Sequence, residues 1–248
     1  MLYKTILFIL IIFMPLNANA GSDAEKLISS FLGPDGISDK ESVYIGEMLQ
    51  AYTSSPTLGE SLPKGSTYSL RILESSENHA IYSVLIKTNG NSKDWYIYLK
   101  KDEGVWKLQA VRTLALSGVF DMVIQKLSNK KRNEEEEQAY QNMLLTTKLD
   151  SELKNYFLTN KDAFDKLVQS HLNGDTEKEA MLIRQLYLND ILKRYDYPNI
   201  IDVSIGGILD NSVGYLYVPK GFEPPVMNAD EFIYIERITD HWYIYKTT

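Results

Sequence analysis

The chain has 248 residues, with 26 Lys and Arg against 33 Asp and Glu, and its formal net charge at pH 7 is −7. Nucleic acid and anionic membrane surfaces are therefore unsuitable partners, because both are normally bound through clustered basic side chains. The one basic cluster, residues 130–132, is followed at once by residues 134–137, all Glu. The absence of cysteine from the sequence excludes disulfides, thiolate metal sites and a cysteine nucleophile.

The first twenty residues have the pattern of a secretory signal peptide. Lys4 precedes an apolar run over residues 6–15, and residues 18–20, Ala-Asn-Ala, form a small-x-small cleavage site. The apolar run is shorter than the roughly 18 residues that a membrane-spanning helix needs. We therefore expect cleavage after Ala20, no membrane insertion afterwards, and an exported product that is periplasmic or secreted.

A repeated stretch dominates the rest of the sequence. DWYIYLKKDEGVWKL at residues 94–108 returns as DEFIYIERITDHWYI at residues 230–244 without a gap. Upstream, residues 78–87 match residues 211–220, and a longer segment containing GFEPPVMN in the second copy accounts for the change of offset. Internal similarity of this kind predicts a tandem duplication, with residues 68–114 and 201–246 superposing as equivalent sheets and Trp106 lying on Trp242.

Each copy has the features of an antiparallel meander of about four strands, because short segments rich in Ile, Val, Tyr and Trp alternate with turn residues. The two-residue period of a strand divides the first copy between two faces. One face carries Trp95, Ile97 and Leu99, and the other carries Tyr96, Tyr98 and Lys100. We expect both Trp106 and Trp242 to pack in a core rather than to stack on a ligand.

Helices are predicted in the remaining segments. A pair of Ser38 and Glu41 precedes one in the first half, and residues 116–127 carry apolar side chains at helical spacing. Asn133 begins another helix as its N-cap, with Glu136 placed for a capping box. After a further amphipathic series at residues 164–172, residues 173–175, Asn-Gly-Asp, break the helix, and a helix from Thr176 is expected to run to about residue 195.

The predicted organisation follows from this order of elements. It comprises a signal peptide at 1–20, a first α+β unit at 21–116, connecting helices at 117–158 and a second α+β unit at 159–248.

Helices that lead into a Trp-bearing antiparallel sheet resemble, over about residues 23–116 and 160–246, the cystatin-like and NTF2-like group of α+β folds. The resemblance implies a curved sheet wrapped around helices, with a pocket or a sheet face used for association. That group contains both enzymes and binding modules and has no universal motif, so the resemblance transfers no catalytic residue.

Sequence motifs for chemistry are absent. His79, His171 and His241 have no metal-ligand partner at helical or strand spacing, and neither a nucleophile elbow nor a phosphate-binding Gly motif occurs. We therefore expect no metal, no cofactor and no catalytic residue. Pairs of carboxylates could come from Asp202 with Asp210 or from Asp94 with Asp230, but we expect solvated strand or turn positions for all four.

Tyrosine is unusually dense in the second copy. The favoured interpretation is that these rings pack on the helices of the second half and against the first half. If the protein has an aromatic recognition surface instead, we expect it around five residues, Tyr215, Tyr217, Phe222, Tyr234 and Tyr245.

Two classes of function stay open at this point. The favoured one is an exported, non-catalytic protein that binds a protein, a peptide or an envelope component, including a protective partner of a secreted toxin. The alternative is a small-molecule enzyme with an acid–base pocket inside one half. The sequence predicts no particular oligomeric state for the protein.

Overall fold

The computed structural model describes residues 19–116 and 118–248. The predicted signal peptide lies outside the described residues except for its last two, with which the first helix begins. The first half contains α1 (Asn19–Leu32), α2 (Lys40–Val43), α3 (Glu47–Ala51), α4 (Leu58–Ser61), β1 (Thr67–Ser75), β2 (His79–Thr88), β3 (Asn91–Asp102) and β4 (Val105–Arg112). The second half contains α5 (Gly118–Ser128), α6 (Glu134–Thr146), α7 (Asp150–Asn173), α8 (Thr176–Gln185), β5 (Asp190–Lys193), β6 (Ile201–Ile208), β7 (Asn211–Tyr217), β8 (Tyr234–Thr239) and β9 (Trp242–Lys246). The predicted α+β class is confirmed.

The first sheet is an antiparallel meander in the order β1-β2-β3-β4, and both of its faces are covered. One face packs with α1 and the short helices that follow it, through side chains that include Tyr82, Val84, Ile97, Leu99, Trp106 and Leu108. The other face carries Ile81, Tyr96, Tyr98 and Ala110 and packs with the second half. The division of β3 between two faces is therefore as its alternation predicts.

The second sheet has five antiparallel strands in the order β5-β6-β7-β9-β8. It is not a meander, because β7 pairs with β9 and the intervening β8 lies at the edge. Trp106 consequently lies on an edge strand, whereas Trp242 lies on an inner one. The expected superposition of equivalent meanders is wrong in strand order, and the duplication is not confirmed.

The helix predicted from Thr176 to about residue 195 is too long. It ends at Gln185, and β5 follows as an edge strand that pairs with β6. Leu188 and Ile191 join the core instead of continuing a helical stripe, so tertiary burial overrides the helical pattern there.

The second half is built around α7, which runs without interruption through the predicted boundary between residues 158 and 159. It buries Leu153, Phe157, Phe164, Leu167 and Val168 in a core that side chains of both sheets share. The helix stops at Gly174, whose left-handed φ of 70° suits glycine. Before it, Asn133 and Glu136 form the predicted capping box at the start of α6.

Two candidate sites in the second half and at its border with the first sheet

The five aromatic residues predicted to form a recognition surface do not share one exposed face. Tyr215, Tyr234 and Tyr245 are at most 1% exposed and pack within the core clusters of the chain. Tyr217 is half-buried and Phe222 is 46% exposed. The three buried rings are therefore core residues, as the packing interpretation predicted. Of the five, only Tyr217 and Phe222 are accessible to a partner without local opening of the structure.

Tyr217 lies in a concave site that we call the α7–β9 cleft. It has a volume of about 410 Å³ and is lined by Lys161, Asp165, Val168, Gln169, Tyr217, Thr239, Asp240, His241 and Trp242. The α7 side chains recur at helical spacing on one face, and the β8–β9 turn closes the opposite wall. The cleft therefore combines a helix face with a hairpin end.

Hydrogen bonds hold the floor of the α7–β9 cleft. The indole Nε1 of Trp242 donates to Asp165 Oδ1 at 2.9 Å, and Lys161 Nζ lies 2.6 Å from Asp165 Oδ2. The ring of Tyr217 packs against Trp242 with 5.3 Å between centroids, and against His241 with 5.8 Å. These contacts fix the Tyr217 ring while leaving part of it accessible.

His241 occupies the β8–β9 turn with a left-handed φ of 69°, which a tight hairpin of this kind requires. Its Nδ1 lies 2.9 Å from the carbonyl oxygen of Val218, so Nδ1 carries the donated proton and Nε2 is left for another partner. Among the described residues, neither the Tyr217 hydroxyl nor the Gln169 amide has a hydrogen-bonded partner. The cleft thus offers hydrogen-bond donors and acceptors beside an aromatic ring.

A second site lies where β3, the start of α7 and the end of β9 meet. Lys246 Nζ is 2.7 Å from Asp150 Oδ1 and 3.6 Å from Asp94 Oδ2, and all three side chains are at most 8% exposed. The backbone N–H of Asp150 donates to Asp94 Oδ2 at 2.8 Å, and the Tyr96 hydroxyl donates to Asp150 Oδ1 at 2.8 Å. Two carboxylates thus share one ammonium group in a buried setting.

This cluster forms part of the wall of a smaller concavity that we call the Asp94 cleft. Its volume is about 220 Å³, and it is lined by Ser92, Lys93, Asp94, Thr113, Leu114, Leu116, Asp121, Thr146, Thr147, Lys148, Leu149 and Lys246. No N–H or O–H group of the described residues donates to Asp94 Oδ1. One oxygen of this buried carboxyl group is therefore available to a bound molecule.

The electrostatics of the Asp94 cleft disfavour the charged form of two neighbouring residues. Burial, and secondarily the carboxylate of Asp150, raise the pKa of Asp94 above its ordinary value, against the opposing effect of Lys246. Partial desolvation of the ammonium group, reinforced by the charge of Lys246, lowers the pKa of Lys93, although its side chain is largely exposed. No carboxylate of the described residues lies within salt-bridge distance of the Lys93 ammonium group.

The carboxylate pairs considered in the sequence are not pairs in the structure. Asp94 and Asp202 are buried, whereas Asp210 and Asp230 are exposed. Asp202 accepts from the Tyr245 hydroxyl at 2.8 Å and from Arg194 at 3.1 Å. The expectation of solvation was therefore wrong for Asp94 and Asp202, because each has buried donors to replace water.

Comparison with models of protein families, with curated proteins and with solved structures finds no match to this chain. Within the described residues, no group of three or more His, Asp or Glu side chains is arranged to hold a metal ion. Over the same residues, no helix combines the length and apolar character needed to cross a bilayer.

Sequence reasoning missed Asp150 and Lys246. A signal for Lys246 was present, because Trp242, Ile244 and Lys246 alternate onto one face of β9 and the first two are apolar. Asp94 precedes Tyr96 in the same way on the inner face of β3. A charge in register with inward-facing residues predicts a buried charge that needs a partner.

Proposed function

We propose that this chain is an exported, non-catalytic binding protein that recognises a protein, a peptide or an envelope component through the α7–β9 cleft. The observation that carries the proposal is the half-buried ring of Tyr217, held by Trp242 and His241 with its hydroxyl free of described partners. A fixed aromatic ring with a polar tip contributes contact area at little entropic cost.

Two features of the sequence support the remaining parts of the proposal. Export rests on the signal-peptide pattern of residues 1–20, and the net charge of −7 disfavours nucleic acid as the partner. The resemblance to cystatin-like and NTF2-like folds stays a prediction, and it is compatible with a binding module.

Capture from an envelope fraction tests the proposal. The bait is the purified mature chain, and the variants are Tyr217→Ser and Gln169→Ala, the second of which changes an exposed side chain on α7. Leu158→Ala is the matched control, since Leu158 is 52% exposed on the same helix but outside the cleft. We expect wild type and the control to retain one common partner and both cleft variants to lose it.

Thermal unfolding of each variant accompanies the capture experiment. Unchanged capture by Gln169→Ala and Tyr217→Ser, with both variants folded, would refute the α7–β9 cleft as the binding site. Loss of capture by the control as well would point to a surface elsewhere on α7.

A small-molecule enzyme is the second candidate, and one observation favours it. The buried carboxyl group of Asp94 borders a cleft, has one oxygen without a donor and has a raised pKa, as a general acid requires. The Asp94 cleft takes residues from both halves, so such an enzyme would not use a pocket inside one unit. Catalysis would require that a molecule bound there is chemically changed, which NMR of the recovered molecule detects.

A further inference from the structure

The Asp94 cleft is lined by charged side chains of both signs that a bound molecule could contact. Asp94 is 8% exposed and has one oxygen without a donor, and the ammonium group of Lys93 has no carboxylate at salt-bridge distance among the described residues. The carboxyl group of Asp94 is largely removed from water, so a donor to its second oxygen would compensate for lost hydration. Lys93, by contrast, is exposed, and its ammonium group lies 5.5 Å from the centroid of the Trp95 ring. A molecule with one cationic and one anionic group could contact both side chains.

The other side chains of the cleft do not create a large excess of either sign. Lys246 is shared between Asp94 and Asp150, and Lys148 lies 3.3 Å from Glu152. Asp121 adds a negative charge on α5. Because these charges nearly balance, a simple anion or a simple cation would contact only one of the two groups, Asp94 or Lys93.

Size restricts the occupant further. A volume of about 220 Å³ lies below the roughly 300–1,000 Å³ of pockets for drug-sized ligands. The hydroxyl group of Ser92 adds hydrogen-bonding capacity near the charged groups, and that of Thr113, which donates to the carbonyl oxygen of Asp94 at 2.8 Å, can still accept. We infer that the Asp94 cleft binds a small zwitterion of the free α-amino acid class, with its ammonium group on Asp94 and its carboxylate on Lys93.

Calorimetric titration of the purified chain tests this inference. Each of the proteinogenic amino acids is titrated singly, and acetate and methylamine serve as probes that carry only one of the two charges. We expect at least one amino acid to bind and both single-charge probes to bind more weakly by about tenfold or more, which corresponds to about 1.4 kcal/mol.

Two variants assign the two charges. Lys93→Gln alters an exposed side chain, and Asp94→Asn keeps an oxygen that can accept from the Asp150 amide. Each should weaken binding of the amino acid by about tenfold or more, whereas Lys100→Gln, on the same strand and outside the cleft, should bind as wild type does.

Three outcomes would overturn the inference. These are no binding by any amino acid, binding of acetate or methylamine as tight as that of the tightest amino acid, or binding that Lys93→Gln leaves unchanged. Because Lys93 is exposed, the last variant is informative even if Asp94→Asn fails to fold. None of these outcomes bears on Tyr217, so the proposed recognition function stands or fails separately.

Discussion

The two sheets contain hairpins of similar sequence, but the hairpin strand that lies at the edge of the sheet differs between them. In the first sheet, β3 is the inner strand and β4 the edge, whereas in the second sheet the matching β8 is the edge and β9 is inner. The preceding connections differ in length. Residues 89–90 join β2 to β3, so these strands must be neighbours, while residues 218–233 join β7 to β8 and can pass over a strand. Connection length, rather than strand sequence, therefore decides which strand of the hairpin is inner.

The changed order has consequences for the sites. Placing β8 at the edge brings Tyr234 onto Tyr96 of the first sheet, with ring centroids 4.9 Å apart and planes at 14°. Placing β9 inside brings Lys246 to Asp150 and Asp94. In the repeat alignment Lys246 corresponds to Ala110, a small buried residue, so the charged cluster has no counterpart in the first sheet.

Shortening the β7–β8 connection should have the largest effect. Deletion of residues 220–231 leaves too little chain for β8 to pass over β9, so β8 would compete with β9 for pairing to β7. We expect loss of cooperative unfolding in urea and loss of the near-ultraviolet circular dichroism of the aromatic core.

A matched insertion is the control for that deletion. Four Gly and Ser residues placed between Asn89 and Gly90 lengthen the tight turn of the first sheet and should cost only about 1 kcal/mol, since closure entropy grows slowly with loop length. A deletion variant that unfolds cooperatively with wild-type spectra would contradict the role assigned to connection length.

Substitution of the two matched tryptophans should have the second largest effect on stability. Trp242→Ala should lower the free energy of unfolding by about 5 kcal/mol and Trp106→Ala by about 3 kcal/mol. Trp242 is 1% exposed in the shared core and donates to Asp165, whereas Trp106 is 6% exposed on an edge strand. Urea unfolding of both variants measures the difference, and equal losses would show that inner and edge positions are equivalent.

Local patterns predicted the elements better than their arrangement. The alternation of β3, the capping box at Asn133 and the break at Gly174 follow from residues close in sequence, and the structure has each of them. Strand order depends on how a long connection is routed, which a two-residue period does not encode.

The candidate sites were predictable only in part for the same reason. Tyr217 was identified by its aromatic surroundings, but its position in a cleft depends on α7 and the β8–β9 turn lying side by side. Asp94, Asp150 and Lys246 are distant in sequence and meet only when β9 is inner, so the cluster could not be assembled from the repeat alignment.

Removing the buried ammonium group should have the next largest effect. Lys246→Met leaves the carboxylates of Asp94 and Asp150 without their shared cation, and we expect a loss of about 3 kcal/mol in unfolding free energy. Lys100→Met, which changes an exposed residue near the end of β3, is the control and should change stability by less than about 0.5 kcal/mol. A Lys246→Met variant as stable as wild type would mean that the cluster does not contribute to joining the sheets.

The smallest expected effect is a change in how stability depends on pH, tested with the matched residues Asp94 and Asp230. The groups around Asp94 are Asp150, Tyr96 and Lys246, together with Lys93 and Asp121 at the cleft. Because the pKa of Asp94 is raised in the folded state, the folded chain holds this proton more tightly than the unfolded chain does.

The sign of the effect follows from that difference. The stabilisation that comes from the Asp94 proton is complete below the unfolded pKa of about 3.9 and is lost as the pH rises through the higher folded value. The Asp94→Asn variant has no ionisable proton at this position and therefore does not lose this stabilisation. The stability of the variant relative to wild type should increase between about pH 4 and pH 7 in urea titrations. Asp230→Asn, at the exposed matching position, should follow wild type throughout. If the advantage of Asp94→Asn instead shrinks as the pH rises, Asp94 is held as a carboxylate by Lys246, and the charge that the cleft offers to a ligand is already satisfied.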